Sequence, residues 1–498
     1  MLSSELNKKS GRAVAWSSIT EILAKIVTPI VNLVLARVLT PSAFGAVATI
    51  TMVITFAEVF TDAGFQKYII QHEFSSDDEL DRNTNVAFWT NFSVSTLIVG
   101  VIVIFRHQIA ALVGSPELGN AIAIASLAII MVSFSSIQAA RFRRALDFKS
   151  LFFVRIGGAM IPLIVTIPLA FVLRNFWALV IGSLAVKVFN AVVLTIKSKW
   201  KPKFYYDFEL LKKMFSFSVW TLLESVSVWL TINADIFIVG NILSEHYLGI
   251  YKTSMTTVNS YIAIITGAIL PVLFSTLSKC QHNEGEFQGV FFRFQKYVSI
   301  FVIPMSVGMF LYSDLVTDIL LGAQWGEAAE FVGLWGLTSG FTVVFANFAS
   351  EVYRSRGNPK LSMLAQVILI AALIPTVLIT AQKGFKVLYI SRSLLRVLFI
   401  ALNIIFMRCI YKLSIRRMAM NLLPSVISTA IMAVVGIGLR FIMDVFWWKL
   451  VSVLICIAVY FTALLILFPN LRRELLSIPT VRKIIGKFKK KKEKTNEE

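Results

Sequence analysis

Six of the chain's 48 Lys and Arg residues, Lys25, Arg155, Lys187, Lys252, Arg392 and Arg396, fall inside long apolar stretches. The acids Glu58, Asp62, Glu224 and Asp235 do as well. An ionisable group in hydrocarbon is costly unless it is paired or faces a wet cavity, so each is a functional candidate. A buried cation can hold an anionic cargo. A carboxylate whose ionised form is disfavoured by burial can load and release a proton, or coordinate sodium. Each has a plainer alternative. Glu21 stands four residues before Lys25 on the same helical face and can neutralise it. Lys252 and Arg155 are near enough to span ends to snorkel. Arg392 and Arg396 stack on one face with no carboxylate nearby in sequence; they can clamp an anion or pair with acids on other helices. Glu58 and Asp62 are an i, i+4 pair, with Lys67 a partner for Asp62. Three cysteines and four histidines are scattered without metal-ligand or CxxC spacing, which disfavours zinc, disulfide and redox chemistry.

These residues must be carried by membrane helices. Of 498 residues, 57% are hydrophobic and only 15% charged, and mean hydropathy is +0.76. A soluble chain needs roughly a quarter of its residues charged, so a soluble enzyme, a secreted disulfide scaffold and a disordered chain are excluded. Apolar blocks of about 20 residues, the length that crosses a bilayer as a helix, predict an all-α polytopic membrane protein of about fourteen spans. They run near 13–36, 43–66, 85–105, 119–140, 151–173, 177–197, 214–240, 246–275, 296–320, 327–351, 361–381, 386–408, 420–441 and 447–468. The first has no cleavage site before it and reads as uncleaved. Pro271 predicts a kink in the eighth. The net charge of +20 has no nucleic-acid module to serve. Instead, alternate loops and the tail carry 35 cations against 7 on the opposite side, which puts both termini in the cytoplasm.

The chain repeats itself weakly at a shift of 204 residues. Trp16 falls on Trp220, Ala36 on Gly240, Val38 on Ile242, Leu39 on Leu243, Thr40 on Ser244, Gly45 on Gly249 and Thr49 on Thr253. Six spans separate the copies, so both have one orientation; parallel repeats of this kind are a transporter architecture with the path between two lobes. The expected organisation is an N-lobe over 1–200, a C-lobe over 201–412, two further helices over 413–470 and a basic cytoplasmic tail over 471–498. Near anionic lipids each tail cation contributes on the order of 1 kcal/mol, which reads as a surface anchor.

The run Leu35-Ala36-Arg37-Val38-Leu39-Thr40-Pro41-Ser42-Ala43-Phe44-Gly45 resembles the first outer loop of the polysaccharide transport (Wzx-type) flippases. That family belongs to the superfamily of multidrug and toxin extrusion (MATE) antiporters and lipid II flippases. Arg144-Ala145-Leu146-Asp147-Phe148-Lys149, Asn233-Ala234-Asp235, Gly249-Ile250-Tyr251 and Gly357-Asn358-Pro359-Lys360 match further family patterns in order along most of the chain. The subgroup most resembled is that of colanic-acid and teichuronic-acid exporters. The sequence departs at Pro41-Ser42-Ala43, where the family commonly has Pro-Glu-Asp. The resemblance implies two pseudo-symmetric six-helix lobes plus two C-terminal helices in a bacterial cytoplasmic (inner) membrane. It implies export of an oligosaccharide on undecaprenyl diphosphate from the cytoplasmic to the outer leaflet. Its partners would be that lipid, anionic membrane lipids at the tail, and a glycan polymerase and glycosyltransferases, with no nucleic acid and no cofactor beyond a coupling proton or sodium.

A cationic cavity between the lobes would suit a diphosphate. Lys25, Lys252, Arg392 and Arg396 are the substrate-binding candidates, and Glu58, Asp62, Glu224 and Asp235 the ion-coupling candidates; no residue is read as catalytic or metal-binding. The rivals are an ion-coupled small-molecule antiporter of the same fold, whose cavity would be walled by carboxylates and aromatics, and a glycan-polymerising enzyme, which would need a polar constellation on a surface loop. A passive channel would need a filter-like repeated loop, and the sequence shows none.

Overall fold

The computed structural model describes residues 27–62, 65–358 and 360–477, except for the side chains of residues 62, 67, 71, 216–221, 223, 224, 268 and 475–477. The described chain is helical, with no strand. Helix α1 is Val27–Val38, followed by α2 (Pro41–Asp62), α3 (Phe65–Gln71), α4 (Asp77–Ile104), α5 (Arg106–Leu112), α6 (Gly119–Arg144), α7 (Phe148–Ile161), α8 (Ile167–Leu173), α9 (Trp177–Lys197) and α10 (Phe208–Ile242). Then come α11 (Glu245–Lys279), α12 (Glu284–Leu311), α13 (Ser313–Leu320), α14 (Ala329–Thr342), α15 (Phe348–Ser355), α16 (Lys360–Ala381), α17 (Phe385–Cys409), α18 (Ile415–Arg440), α19 (Phe446–Leu467) and α20 (Pro469–Ser477). Among the described residues twelve helices are long and apolar enough to cross a membrane, thirteen if the broken α11 is one span. The expected first span, 13–36, lies mostly outside the described residues; its described end belongs to α1.

The loop motifs prove to be devices for stopping one helix and starting the next. In Arg144–Lys149, Leu146 takes a left-handed conformation (φ 56), so the Asp147 N–H reaches back to the Phe142 carbonyl at 2.9 Å. The Asp147 carboxylate then caps α7 by accepting from the Ser150 N–H at 3.0 Å. Gly357 (φ 71) does the same for α15, with the Asn358 N–H donating to the Tyr353 carbonyl at 2.8 Å. Ser76, Asp207, Asn283 and Ser414 cap α4, α10, α12 and α18. Each cap satisfies a donor that the helix start leaves without a partner.

The helices segregate into two compact units. One holds the described residues up to Ala268 with Thr317–Phe331 and Gln366–Leu395; the other holds Ile269–Val316, Val332–Ala365 and the described residues from Arg396 onward. Lipid tails are as apolar as leucine, so packing and buried polar contacts, rather than a hydrophobic drive, hold such helices together. In the first unit Asn91 on α4 donates to Ser136 on α6 at 2.9 Å, and Gln138 donates to Thr195 on α9 at 2.6 Å. In the second, Ser299 on α12 meets Ser425 on α18 at 3.0 Å, and the Tyr460 hydroxyl on α19 donates to the Ile300 carbonyl at 2.7 Å. Interhelical bonds of this kind contribute about 0.6 kcal/mol each in a bilayer. Also in the second unit, α20 is tied to α12 by Glu474, which accepts from Tyr297 at 2.9 Å and from Lys296.

Candidate functional site

The site grows from the repeat. The turn Leu39–Thr40 joins α1 to α2, and Leu243–Ser244 joins α10 to α11, and these two helix starts cross within the first unit. A Cβ added to Gly45 would run into the Glu245 carbonyl oxygen and lie 3.0 Å from the Gly249 nitrogen. One added to Gly249 would run into the Pro41 carbonyl oxygen and lie 2.9 Å from the Gly45 nitrogen. Pro41 and Glu245, like Gly45 and Gly249, are equivalent under the 204-residue shift. The contact is therefore reciprocal, about a local two-fold axis, and only glycine lets the backbones approach this far.

Two further loops cover the crossing in the same paired way. Gly114 (φ 80) packs on the backbone of Gly240 and Asn241, and Gly322 (φ 104) packs on Arg37. Asn241 and Arg37 are again repeat equivalents. Trp325 and Gln324 donate to the Ala36 carbonyl, and Arg37 donates to the Ile319 carbonyl at 3.0 Å.

One turn along from the crossing is a pocket of about 190 Å³. Its described polar wall consists of Asn32, Asn233, Thr51, Thr253, Thr256, Thr257 and the ammonium-bearing Lys252, with no carboxylate among the described lining residues. Ala48, the repeat equivalent of Lys252, lines the same pocket, so among the described residues a nearly symmetric frame carries its cation at one of two equivalent positions. Hydroxyls, amides and a half-buried ammonium suit an anion attached to sugar hydroxyls better than an organic cation.

Beside the pocket, Asp235 on α10 is 3% exposed. It accepts from the Tyr251 hydroxyl at 2.9 Å and from Arg392 at 3.4 Å, and Arg392 also donates to the Tyr251 oxygen at 3.2 Å. Tyr251 stacks on Phe331, which stacks on Tyr389; the Tyr389 hydroxyl donates to Glu330, which also pairs with Lys386 at 3.2 Å. The three α17 residues that anchor this ladder, Lys386, Tyr389 and Arg392, are spaced i, i+3, i+6 on one helix face.

The structure places the remaining candidates elsewhere. Arg396, in the second unit, lies 3.3 Å above the Trp335 ring centroid and donates to the Trp335 carbonyl and the Ser339 hydroxyl. Glu58 pairs with Lys187 on α9 at 2.8 Å, a partner 129 residues away. Arg155 is exposed. Lys25 lies outside the described residues, as do the side chains of Asp62 and Glu224. Among the described residues no group of His, Cys, Asp and Glu is arranged to hold a metal ion. The pocket threonines were missed in the sequence, although Thr253, Thr256 and Thr257 recur at i, i+3, i+4 on Lys252's own helix and signal a polar face. Tyr251 was quoted only as part of a family pattern.

A model of the polysaccharide biosynthesis protein family matches residues 34–330, which takes in α2 to α11, the glycine crossing, the lysine pocket except Asn32, and more than half of the chain. The chain belongs to that family. This polysaccharide biosynthesis protein is 22% identical to the succinoglycan biosynthesis transport protein ExoT of Rhizobium meliloti (strain 1021), over 68% of this chain and 67% of that one. It is 20% identical to the lipopolysaccharide biosynthesis protein WzxC of Escherichia coli (strain K12), over 65% of each. Its fold matches the inward closed conformation of the lipid II flippase MurJ with a TM-score of 0.73 at 17% identity, covering 92% of this chain and 99% of that one. An inward-facing multidrug resistance MATE family transporter matches at 0.59 and 11%, covering 82% and 98%. The Wzx-type assignment and the all-α, MATE-like architecture read from the sequence are borne out; the count of fourteen spans is not settled by the twelve or thirteen seen.

Proposed function

We propose that this family member is a flippase for an undecaprenyl-diphosphate-linked oligosaccharide, moving it from the cytoplasmic to the outer leaflet by alternating access. It is a multi-pass membrane transporter rather than an enzyme. The observation that carries the substrate reading is Lys252 in a pocket of hydroxyls and amides, with no carboxylate among the described lining residues. The diphosphate would sit at the ammonium and the first sugars against the threonines, while the glycine crossing seals one end. An acid-walled cavity for organic cations, the mark of the antiporter alternative, is not what lines this pocket.

The lobes 1–200 and 201–412 would rock about the repeat axis, with both termini in the cytoplasm of a bacterial cell and the tail against anionic lipids. A glycan polymerase and glycosyltransferases would use and supply the cargo. Arg392 and Asp235 would hold α17 to α10 and α11, and Arg396 would brace α17 on Trp335. Lys25 would add a second cation to the path. Glu58 and Asp235 are engaged in ion pairs, so the coupling role would fall to Asp62 and Glu224; their amide variants should abolish any response of vesicle transport to an imposed proton or sodium gradient.

The test is the leaflet on which lipid-linked oligosaccharide accumulates. Deleting the gene should trap it on the cytoplasmic face, and Lys252→Gln should reproduce at least a ten-fold loss of surface glycan at unchanged protein abundance. Normal glycan display by Lys252→Gln would overturn the headgroup assignment.

A further inference from the structure

A second cavity in the first unit, of about 930 Å³ against about 190 Å³, is distinct from the lysine pocket. It is lined by α2, α3, α4, α5, α10 and Ile374 of α16, and among the described lining residues the polar side-chain groups are the Thr90 hydroxyl and the Trp229 indole nitrogen. That nitrogen donates to the Thr55 hydroxyl at 3.1 Å, so its hydrogen bond is satisfied and the indole offers an apolar ring face. Phe56 packs on both Trp229 and Phe60. The cavity is a slot along the helices: its wall on α10 runs from Phe215 to Phe237 and Ile238. At 1.5 Å per residue Phe215 and Phe237 are about 33 Å apart, close to the roughly 30 Å of a hydrocarbon core. A slot of that length matches an extended hydrocarbon chain.

Two observations join this slot to the polar pocket. Met52 lines both. Helix α10 presents Asn233 and Ile236 to the pocket while Trp229, Leu230, Ala234 and Phe237 face the slot. The two cavities are thus the two sides of one α2–α10 wall, one polar and cationic, the other mostly apolar among its described lining residues, with the unbranched thioether side chain of Met52 at their junction. Methionine is the residue that yields most readily in packing.

Resting on the flippase reading above, we propose that the α2–α4–α10 slot is the binding site for the isoprenoid chain of the carrier lipid, whose diphosphate sits at Lys252 across Met52. The chain would then be held by the protein along one wall during transfer, and aromatic rings at Phe56, Phe60 and Trp229 would pack against the methyl-branched, unsaturated units.

The experiment uses the full chain in nanodiscs of phosphatidylethanolamine and phosphatidylglycerol. One probe is a polyprenyl diphosphate disaccharide with a diazirine on its terminal isoprene; the other is phosphatidylglycerol with a diazirine at the end of an acyl chain. After irradiation, peptides covering 52–60 and 229–238 should carry at least ten-fold more prenyl than phospholipid label, and unlabelled prenyl lipid should compete it away. Ala234→Trp, which fills the slot, should lower that label about ten-fold; Ala57→Leu is the milder variant, and both are checked for an unchanged melting midpoint. A water-soluble glycosyl diphosphate without a chain is titrated separately, its binding expected to vanish in Lys252→Gln. Lys252-dependent binding of the soluble probe with prenyl label on other helices would overturn the slot and leave the function standing. Equal labelling by the two lipids would also overturn it, as ordinary annular lipid. Prenyl label in the slot without any binding of the soluble probe would support the slot and overturn the headgroup assignment.

Discussion

Arg392 and Arg396, four residues apart on α17, have different fates, and the difference was not readable from their spacing. One meets a carboxylate 157 residues away, the other a tryptophan face and a serine. Local sequence shows that two cations share a face; it cannot show what the fold brings to each. Removing one member of a buried pair leaves the other charge uncompensated, at a cost of about 3–5 kcal/mol. Asp235→Asn should therefore lower the melting midpoint of the purified protein sharply, whereas the double variant Asp235→Leu with Arg392→Met should recover much of the loss. A double variant no more stable than the single would show that Tyr251, rather than Arg392, is the partner that matters. Glu58 teaches the same lesson: its sequence neighbourhood showed an i, i+4 acid, Asp62, and the fold delivered Lys187.

Helix positions were legible because hydrophobic blocks, prolines and caps are local signals, and the repeat was legible over its first hairpin. The same shift also aligns Val86 with Val290, Phe88 with Phe292, Val94 with Val298 and Ser95 with Ser299, so the third span of each copy was within reach and was missed. Gly45 and Gly249 stand in the sequence as equivalents under that shift. Their service in a reciprocal crossing needs two segments 204 residues apart to meet, which no single window of sequence reveals. Gly45→Ala and Gly249→Ala should each prevent that approach. In a cysteine-free background with a reporter cysteine at Thr51, both variants should react faster with a membrane-impermeant thiol reagent from the side of the α1–α2 turn, and both should lose glycan export. Unchanged labelling in either would mean that the crossing is not what closes the pocket. Asp147→Ala, by contrast, removes only a helix cap and should cost about 1 kcal/mol, seen as a modest fall in melting midpoint with export retained.

Across the molecule, acidity should weaken the second unit first at its charged surface ties. Burial pushes the Glu474 carboxyl upward, but Lys296 and Tyr297 outweigh it and hold the group below the usual carboxylate range; Asp314 is held low against burial by Lys449, the Leu315 N–H and Arg440. A depressed folded value means that these ties contribute fully above the unfolded carboxylate range and are lost as pH falls through the folded one. The melting midpoint should decline on acidification below about pH 4, and Glu474→Gln should start lower at neutral pH and decline less. A Glu474→Gln protein with the wild-type pH profile would remove that tie from the account. Lys252 facing Ala48 has a different consequence for the molecule. A strictly duplicated frame would accept an elongated ligand in two opposite poses of equal energy, and neither would be productive more than half the time. A single ammonium lifts that degeneracy and gives the cargo a head and a tail before it moves, so Ala48→Lys should slow export by admitting the reversed pose, even while it tightens binding of the diphosphate.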